Sequence, residues 1–373
     1  MLVATLLALG CQAPQPAQPA PQSQPAAEQP DPMTSVNTLL PAPDDFALRR
    51  IGTVEYPIPA YAKFLKGVRI VLDPGHGGDA HKRGFKRGPT GVREAEMNLR
   101  CAQYLKAFLD AAGAEVRLTR DADYDLTHQQ RADVANNWPA DLFISMHHNA
   151  VDNKPQANYT TVWYHADVDH RPSSLDLARY LCEGLLDALA LPQFVDVPLK
   201  SDQLMYPDGF AVLRFARVTS CLCESSFFTN PDEEQRLRDP EYNLREAYGV
   251  FLGLARYTAG GLPRARLIEP PDGVLVLTGA VGVNAPEPLL VFELDDGLRS
   301  RKAWGSQRQM IMGDSITVRI DDEPAEWRFA SESYRLEVPI PSDLPPGKHR
   351  VEVQFQNKSK NSILEPWFEI ELR

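Results

Sequence analysis

The chain has 373 residues, more than one hydrophobic core usually holds, so more than one domain is expected. Hydrophobic residues make up 43% and charged residues 24%, an ordinary globular mixture, and no run is apolar for long enough to span a bilayer. The formal net charge of -11 argues against nucleic-acid binding driven by phosphate neutralisation. The basic run Lys82 to Arg87 is the local exception, and as an isolated cluster it reads as a solvated loop or a substrate contact.

Met1 to Gly10 is an apolar stretch suited to the centre of a secretory signal, and Ala8-Leu9-Gly10-Cys11 resembles a bacterial lipobox that would leave a lipidated Cys11. No Lys or Arg precedes the apolar run. Residues 12–43 are dominated by Pro, Gln and Ala, which cannot bury enough surface to offset the entropy of ordering. The expectation is a signal segment over 1–11 and a flexible tether over 12–43.

From about residue 66 strand and helix patterns alternate. Val68 to Leu72 reads as a short buried strand ending in Asp73-Pro74-Gly75, and Glu94 to Ala112 has apolar residues at helical spacing before Gly113. Strands follow at Glu115 to Thr119, Asp141 to Met146 and Thr160 to Tyr164, with a polar helix holding Arg131 and Ala135 between the first two. Helices at about Ser173 to Ala190 and Pro240 to Ala259 bracket a strand near Val218 to Cys223. This predicts an α/β, three-layer domain over 44–262, with a mostly parallel sheet and helices on both faces. After Gly260-Gly261-Leu262-Pro263 helical patterns stop. Strand-like runs at Val274 to Leu277, Leu289 to Phe292, Ser315 to Val318 and Val351 to Phe355, separated by turn signals, predict an all-β immunoglobulin-like sandwich over 263–373.

In open parallel sheets functional groups gather beyond the carboxyl ends of strands. Asp73 to Gly78, Ser145 to Ala150 and Cys223 to Ser226 occupy such places, and Glu94 opens the first helix. Two histidines and a carboxylate suit zinc and leave a fourth position for water. His147 and His148 adjoin, but side chains alternate along a strand, so both cannot easily face one metal. Asp73 serves either as a turn former or as a support for a metal ligand. Cys221 and Cys223 should face opposite to Glu224, which favours core packing over metal ligation, and no spacing fixes a disulfide.

The strings Ile70 to Gly78, Gly91 to Leu99, Leu118-Thr119-Arg120, Arg131 with Ala135-Asn136, Asp141 to Ala150 and Glu224 to Pro231, in this order, resemble the zinc-dependent N-acetylmuramoyl-L-alanine amidases of the cell-separation type. The resemblance implies that His76, Glu94 and His147 hold zinc and that Glu224 is the catalytic glutamate. It favours Glu94 over Glu96, which suits a surface charge in a first helical turn, and gives Arg120, Arg131 and Asn136 structural pairing. It implies hydrolysis of the bond between the lactyl group of N-acetylmuramic acid and L-alanine in peptidoglycan, on the periplasmic side of the envelope, and the lipobox-like string adds the expectation of membrane association through Cys11. Between His147 and Glu224 the sequence offers one ordinary helix, about Ser173 to Ala190, and a short connection from Leu191 to Phe210, so the inserted inhibitory helix of some relatives is expected to be absent. Another zinc envelope peptidase and a non-catalytic envelope-binding lipoprotein are the competing readings.

Overall fold

The computed structural model describes residues 38–167, 171–192, 197–276, 288–298 and 310–373. The signal segment, Cys11 and most of the expected tether therefore lie outside the described residues, as does Leu277.

The first unit opens with a short helix, α1 (Phe46–Arg50), and strand β1 (Arg69–Pro74). Helix α2 (Glu94–Ala111), β2 (Glu115–Leu118), α3 (His128–Asn137), β3 (Leu142–Asn149), β4 (Thr161–Tyr164), α4 (Pro172–Leu189), β5 (Leu199–Ser201), α5 (Ala211–Phe215), β6 (Thr219–Phe227), α6 (Pro231–Leu237) and α7 (Pro240–Ala259) follow. The strands form one sheet in the order β2-β1-β3-β6-β4-β5, parallel at every pairing except β4 with β6.

Alternation along these strands sorts their side chains onto two faces. Ile70, Leu72, Ile144, Met146, Cys221 and Cys223 pack under α2, α4 and α7. Val71, Phe143, Trp163 and Leu222 pack instead against Ala132 and Ala135 of α3 and Val212 and Leu213 of α5. Both faces are covered, which is why the strands read as continuous apolar runs. Helices α4 and α7 touch backbone to backbone: a Cβ on Gly184 would collide with the Gly249 carbonyl. The ends of the helices are written in the sequence. Thr127 and Gln130 form a capping box on α3, and Asn230 and Asp239 cap α6 and α7 ahead of Pro231 and Pro240.

Among its described residues the C-terminal unit is built of strands, with one 3-10 turn at Gly313–Ser315: β7 (Arg264–Glu269), β8 (Val274–Leu275), β9 (Leu289–Asp295), β10 (Thr317–Ile320), β11 (Glu323–Pro324), β12 (Arg328–Ala330), β13 (Arg335–Pro339), β14 (Gly347–Gln354) and β15 (Trp367–Leu372). Two sheets, β11-β10-β14-β15-β8 and β12-β13-β9-β7, enclose a separate apolar core that includes Phe292, Val318, Leu336, Val351, Val353 and Ile370. This unit is docked on the first. Leu364 joins the first unit's core, Asn361 Nδ2 donates to the Tyr257 and Gly261 carbonyls, and the Ser362 amide donates to Asp176 Oδ2 at 2.8 Å.

The tether reading of residues 12–43 is corrected at its end. Thr38 donates from its amide and its hydroxyl to Glu96 Oε2 at 2.9 and 2.8 Å, Leu39 is buried, and the Leu40 amide bonds the Arg238 carbonyl. Leu39, the first of a Leu pair after a long stretch of Pro, Gln and Ala, finds a surface to cover, while Leu40 holds on through its backbone and stays exposed. Glu96 is corrected with them: it accepts from Thr38 and pairs with Arg93 at 3.3 Å, so it anchors the incoming chain instead of standing free on the surface.

Candidate metal centre

His147 on β3 and Glu224 on β6 are direct partners in a parallel pairing. They share parity with Phe143 and Leu222 and so project on the α3/α5 face, at the carboxyl ends of their strands. His76 follows the end of β1 in a left-handed backbone conformation, φ 59°, which is uncommon for a residue with a Cβ and marks a constrained loop. Arg131 holds it there, donating to the His76 carbonyl at 2.8 Å, to the Pro74 carbonyl and to Asp73. Arg120 braces the same loop through the carbonyls of Pro74, Gly75 and Ala95. Asp73 is buried and accepts from Thr119, Ser145 and Arg131, so it reaches the His76 loop only by way of Arg131. Burial opposes its charge, but Arg131 and the two hydroxyls hold its carboxyl below the usual range. Asn136 pairs with the Phe215 carbonyl and the Arg217 amide, away from the site.

Glu94 starts α2 and is 1% exposed. Its Oε2 lies 3.1 Å from His76 Nε2 and its Oε1 3.1 Å from His147 Nδ1, and the two imidazole rings stand edge to face with centroids 4.8 Å apart. One donor atom from each of the three residues falls within 4.8 Å of the others. Gly75 is required by this convergence, because a Cβ there would collide with the His147 ring. Burial disfavours the Glu94 charge, yet His76, Lys86 and the hydrogen bond from His147 hold its carboxyl well below the ordinary range. Burial pushes the His147 imidazole down to about 4, which keeps it neutral and able to ligate. Glu224 goes the other way: burial and the nearby Glu94 charge raise it to about 8, with Lys86 and His148 opposing.

The four residues line one cavity of about 380 Å³, together with Lys86, Tyr206 and Phe210. Lys86 Nζ lies 3.8 Å from Glu94 Oε2. One member of the basic run thus faces the site, whereas Arg87 is buried on the Ala80 and Gly91 carbonyls and Lys82 covers the Phe85 ring. Sequence reasoning left Lys86 undecided and missed Tyr206 and Phe210. Within the stretch read as a plain connection, residues 197–210 contribute β5 and a wall of the cavity. A larger cleft of about 950 Å³ lies at the amino ends of the strands, beside Arg69, Asp141 and Arg264. It contains none of the four site residues, and its charged walls pair with one another, Asp141 with both arginines.

His148 points to the opposite face, onto Asn98 of α2 and Glu246 of α7. Cys221 and Cys223 lie in the core on that side, and Cys101, Cys182, Cys221 and Cys223 are all free thiols.

The profile of the N-acetylmuramoyl-L-alanine amidase family (Amidase_3) matches residues 70–256, half of the chain, and spans the whole constellation from β1 to α7. The chain belongs to this family. It is 28% identical over 193 residues to the probable cell wall amidase LytH of Staphylococcus epidermidis, covering 52% of this chain and 59% of that one. It is 26% identical over 239 residues to the probable N-acetylmuramoyl-L-alanine amidase AmiB of Haemophilus influenzae, covering 54% of each. Among solved structures, AmiC2 of Nostoc punctiforme aligns with a TM-score of 0.45 at 29% identity, over 52% of this chain and 98% of that one. The chain thus spans little more than half the length of these curated relatives.

Proposed function

We propose that this chain hydrolyses the amide bond between the lactyl group of N-acetylmuramic acid and L-alanine of the peptidoglycan stem, with zinc as its cofactor. The observation that carries this reading is the convergence of His76, Glu94 and His147 beside Glu224 on one cavity, in a chain of the amidase family. The donor set fits the metal. It offers imidazole nitrogens and one carboxylate, and Glu94 Oε2, although 3.1 Å from His76 Nε2, is buried without a hydrogen-bond partner.

Held by His76, Glu94 and His147, zinc supplies the Lewis acidity that makes water a nucleophile near neutral pH and polarises the amide carbonyl. Glu224 is the general base and acid. Its Oε2 is also buried without a hydrogen-bond partner, so it is free to take the proton of the attacking water and pass it to the departing L-alanine nitrogen. Lys86 favours the ionised form of Glu224 and offsets the negative charge of the pocket. Tyr206 and Phe210 line one side of the cavity.

In this reading residues 44–262 are the catalytic domain and 263–373 an immunoglobulin-like accessory sandwich, joined through Cys11 and the tether to a membrane. Among the described residues no helix is long and apolar enough to cross a membrane. Digestion of purified sacculi tests the activity. Stem peptides with new L-alanine amino termini, released by zinc-loaded protein and not by chelated protein, are the expected products. Cleavage inside the stem would make the chain a peptidase, and absence of both products and bound zinc would leave an envelope-binding protein.

A further inference from the structure

Behind the metal site, on the other face of the sheet, lies a buried polar cluster with no part in the proposed chemistry. His148, Glu246, Cys101, Asn98 and Ser225 are each 2% exposed or less, in surroundings that are otherwise apolar. Buried polar groups of this kind are costly unless fully bonded. Here they are bonded in a chain. Asn98 Nδ2 donates to the Gly75 carbonyl at 3.3 Å and approaches Glu94 Oε1 at 3.5 Å, which turns Asn98 Oδ1 toward His148 Nδ1 at 2.8 Å. His148 Nδ1 must then carry a hydrogen. Its Nε2 lies 3.1 Å from Glu246 Oε2, which also accepts from the Cys101 thiol at 3.1 Å, while Ser225 donates to Glu246 Oε1 at 2.7 Å. His148 therefore bridges Asn98 and Glu246 through its two ring nitrogens, and Glu246 ties the helix α7 end of the chain to Cys101 and Ser225.

The cluster ends on the metal site from two directions. The His148 amide and Asn98 both face Glu94 Oε1, at 3.3 and 3.5 Å, which leaves Oε2 for the cavity. Ser225 neighbours Glu224. We propose that Glu246 is a positioning residue for the metal centre: acting through His148 and Asn98, it fixes the plane of the Glu94 carboxylate. The inference rests on Glu94 being a zinc ligand. Cys101, His148 and Glu246 also bring one donor atom each within 4.8 Å of the others, but their hydrogen bonds join them to one another, which favours the positioning role over a second metal site.

Zinc affinity, measured by competition with a chelator on folded full-length protein, tests the inference with two variants. Glu246→Gln keeps shape and removes the charge that orients His148. His148→Phe combined with Glu246→Leu replaces the buried polar pair by apolar side chains, an exchange that is often neutral or stabilising for a fold. Groups that support metal ligands typically contribute ten- to a hundredfold in affinity. The expected result is a loss of that size in both variants, including an apolar variant that melts at or above the parent temperature. Parent-like zinc affinity in the apolar variant would reduce the cluster to support of the fold and overturn the inference. Two zinc equivalents in the parent, one of them lost in Glu246→Gln, would overturn it by making the cluster a metal site. A parent that binds no zinc would instead remove the zinc reading on which the inference stands.

Discussion

Glu224 and Glu94 show how two carboxyl groups facing one cavity come to hold opposite protonation tendencies. Glu94 sits among His76, His147 and Lys86, whereas Glu224 has a buried oxygen with no hydrogen bond and a like charge nearby. The sign of the pH effect follows. A carboxyl raised to about 8 in the folded chain and unperturbed when unfolded binds more protons in the folded state across the interval between, so stability falls as pH rises there. His147, depressed to about 4, works the other way up to its unfolded value of 6.5, so the window that isolates Glu224 lies above it: between about pH 6.5 and 8 chelated parent protein is expected to melt at falling temperature as pH rises, and Glu224→Gln to flatten that slope, both read by thermal unfolding. Gly75 carries a second expectation. Gly75→Ala must push the His147 ring out of place, so zinc affinity should drop at least tenfold, as read by chelator competition, for a protein that still folds.

At the scale of elements, what the sequence revealed depended on whether the cause was local. Helix α7 was legible from Pro240 to Ala259 because Asp239-Pro240 starts it and the apolar period runs its length. His147 and His148 were correctly sent to opposite faces by strand alternation alone, while their assignment as ligand and non-ligand came from resemblance. Lys86, Tyr206 and Phe210 were not legible, because their place at the cavity depends on loop paths set by distant contacts. The basic loop is an example: the Thr90 and Val92 amides that shape it are tied to Glu234 of α6. Glu246 left no local signal either, since only the packing of α7 on α2 brings it to His148. Thr38 to Leu40 were hidden by the composition around them. A chain beginning at residue 44 should therefore melt several degrees below one beginning at residue 38, since burying a Leu contributes about 1.5–3 kcal/mol and each kcal/mol shifts a domain of this size by roughly 2–4 °C. Equal melting temperatures would mean that the Thr38–Glu96 contact is not made in solution.

Over the whole molecule, two units with separate cores are joined by a loop that leaves Leu364 in the core of the first. The Asn361 and Ser362 bonds to α4 and to the end of α7 make this a fixed attachment instead of a loose one. Leu364→Ala should cost about 2–5 kcal/mol, as for other large-to-small core changes. It should do so without altering zinc affinity, because the attachment lies at the opposite end of the sheet from His76 and His147. Denaturant unfolding with and without bound zinc would show both effects, and an unchanged midpoint would argue against the docked arrangement.

The central claim is a division of labour in which His76, Glu94 and His147 hold zinc and Glu224 moves the proton. The most direct test measures zinc content and sacculus hydrolysis on the same folded preparations of the parent, His76→Ala, His147→Ala and Glu224→Gln. The two histidine variants should lose zinc and activity together. Glu224→Gln should keep its zinc and lose about a hundredfold to ten-thousandfold in turnover, the usual contribution of a general acid and base. A Glu224→Gln protein that holds zinc and still releases stem peptides at near the parent rate would contradict the assignment.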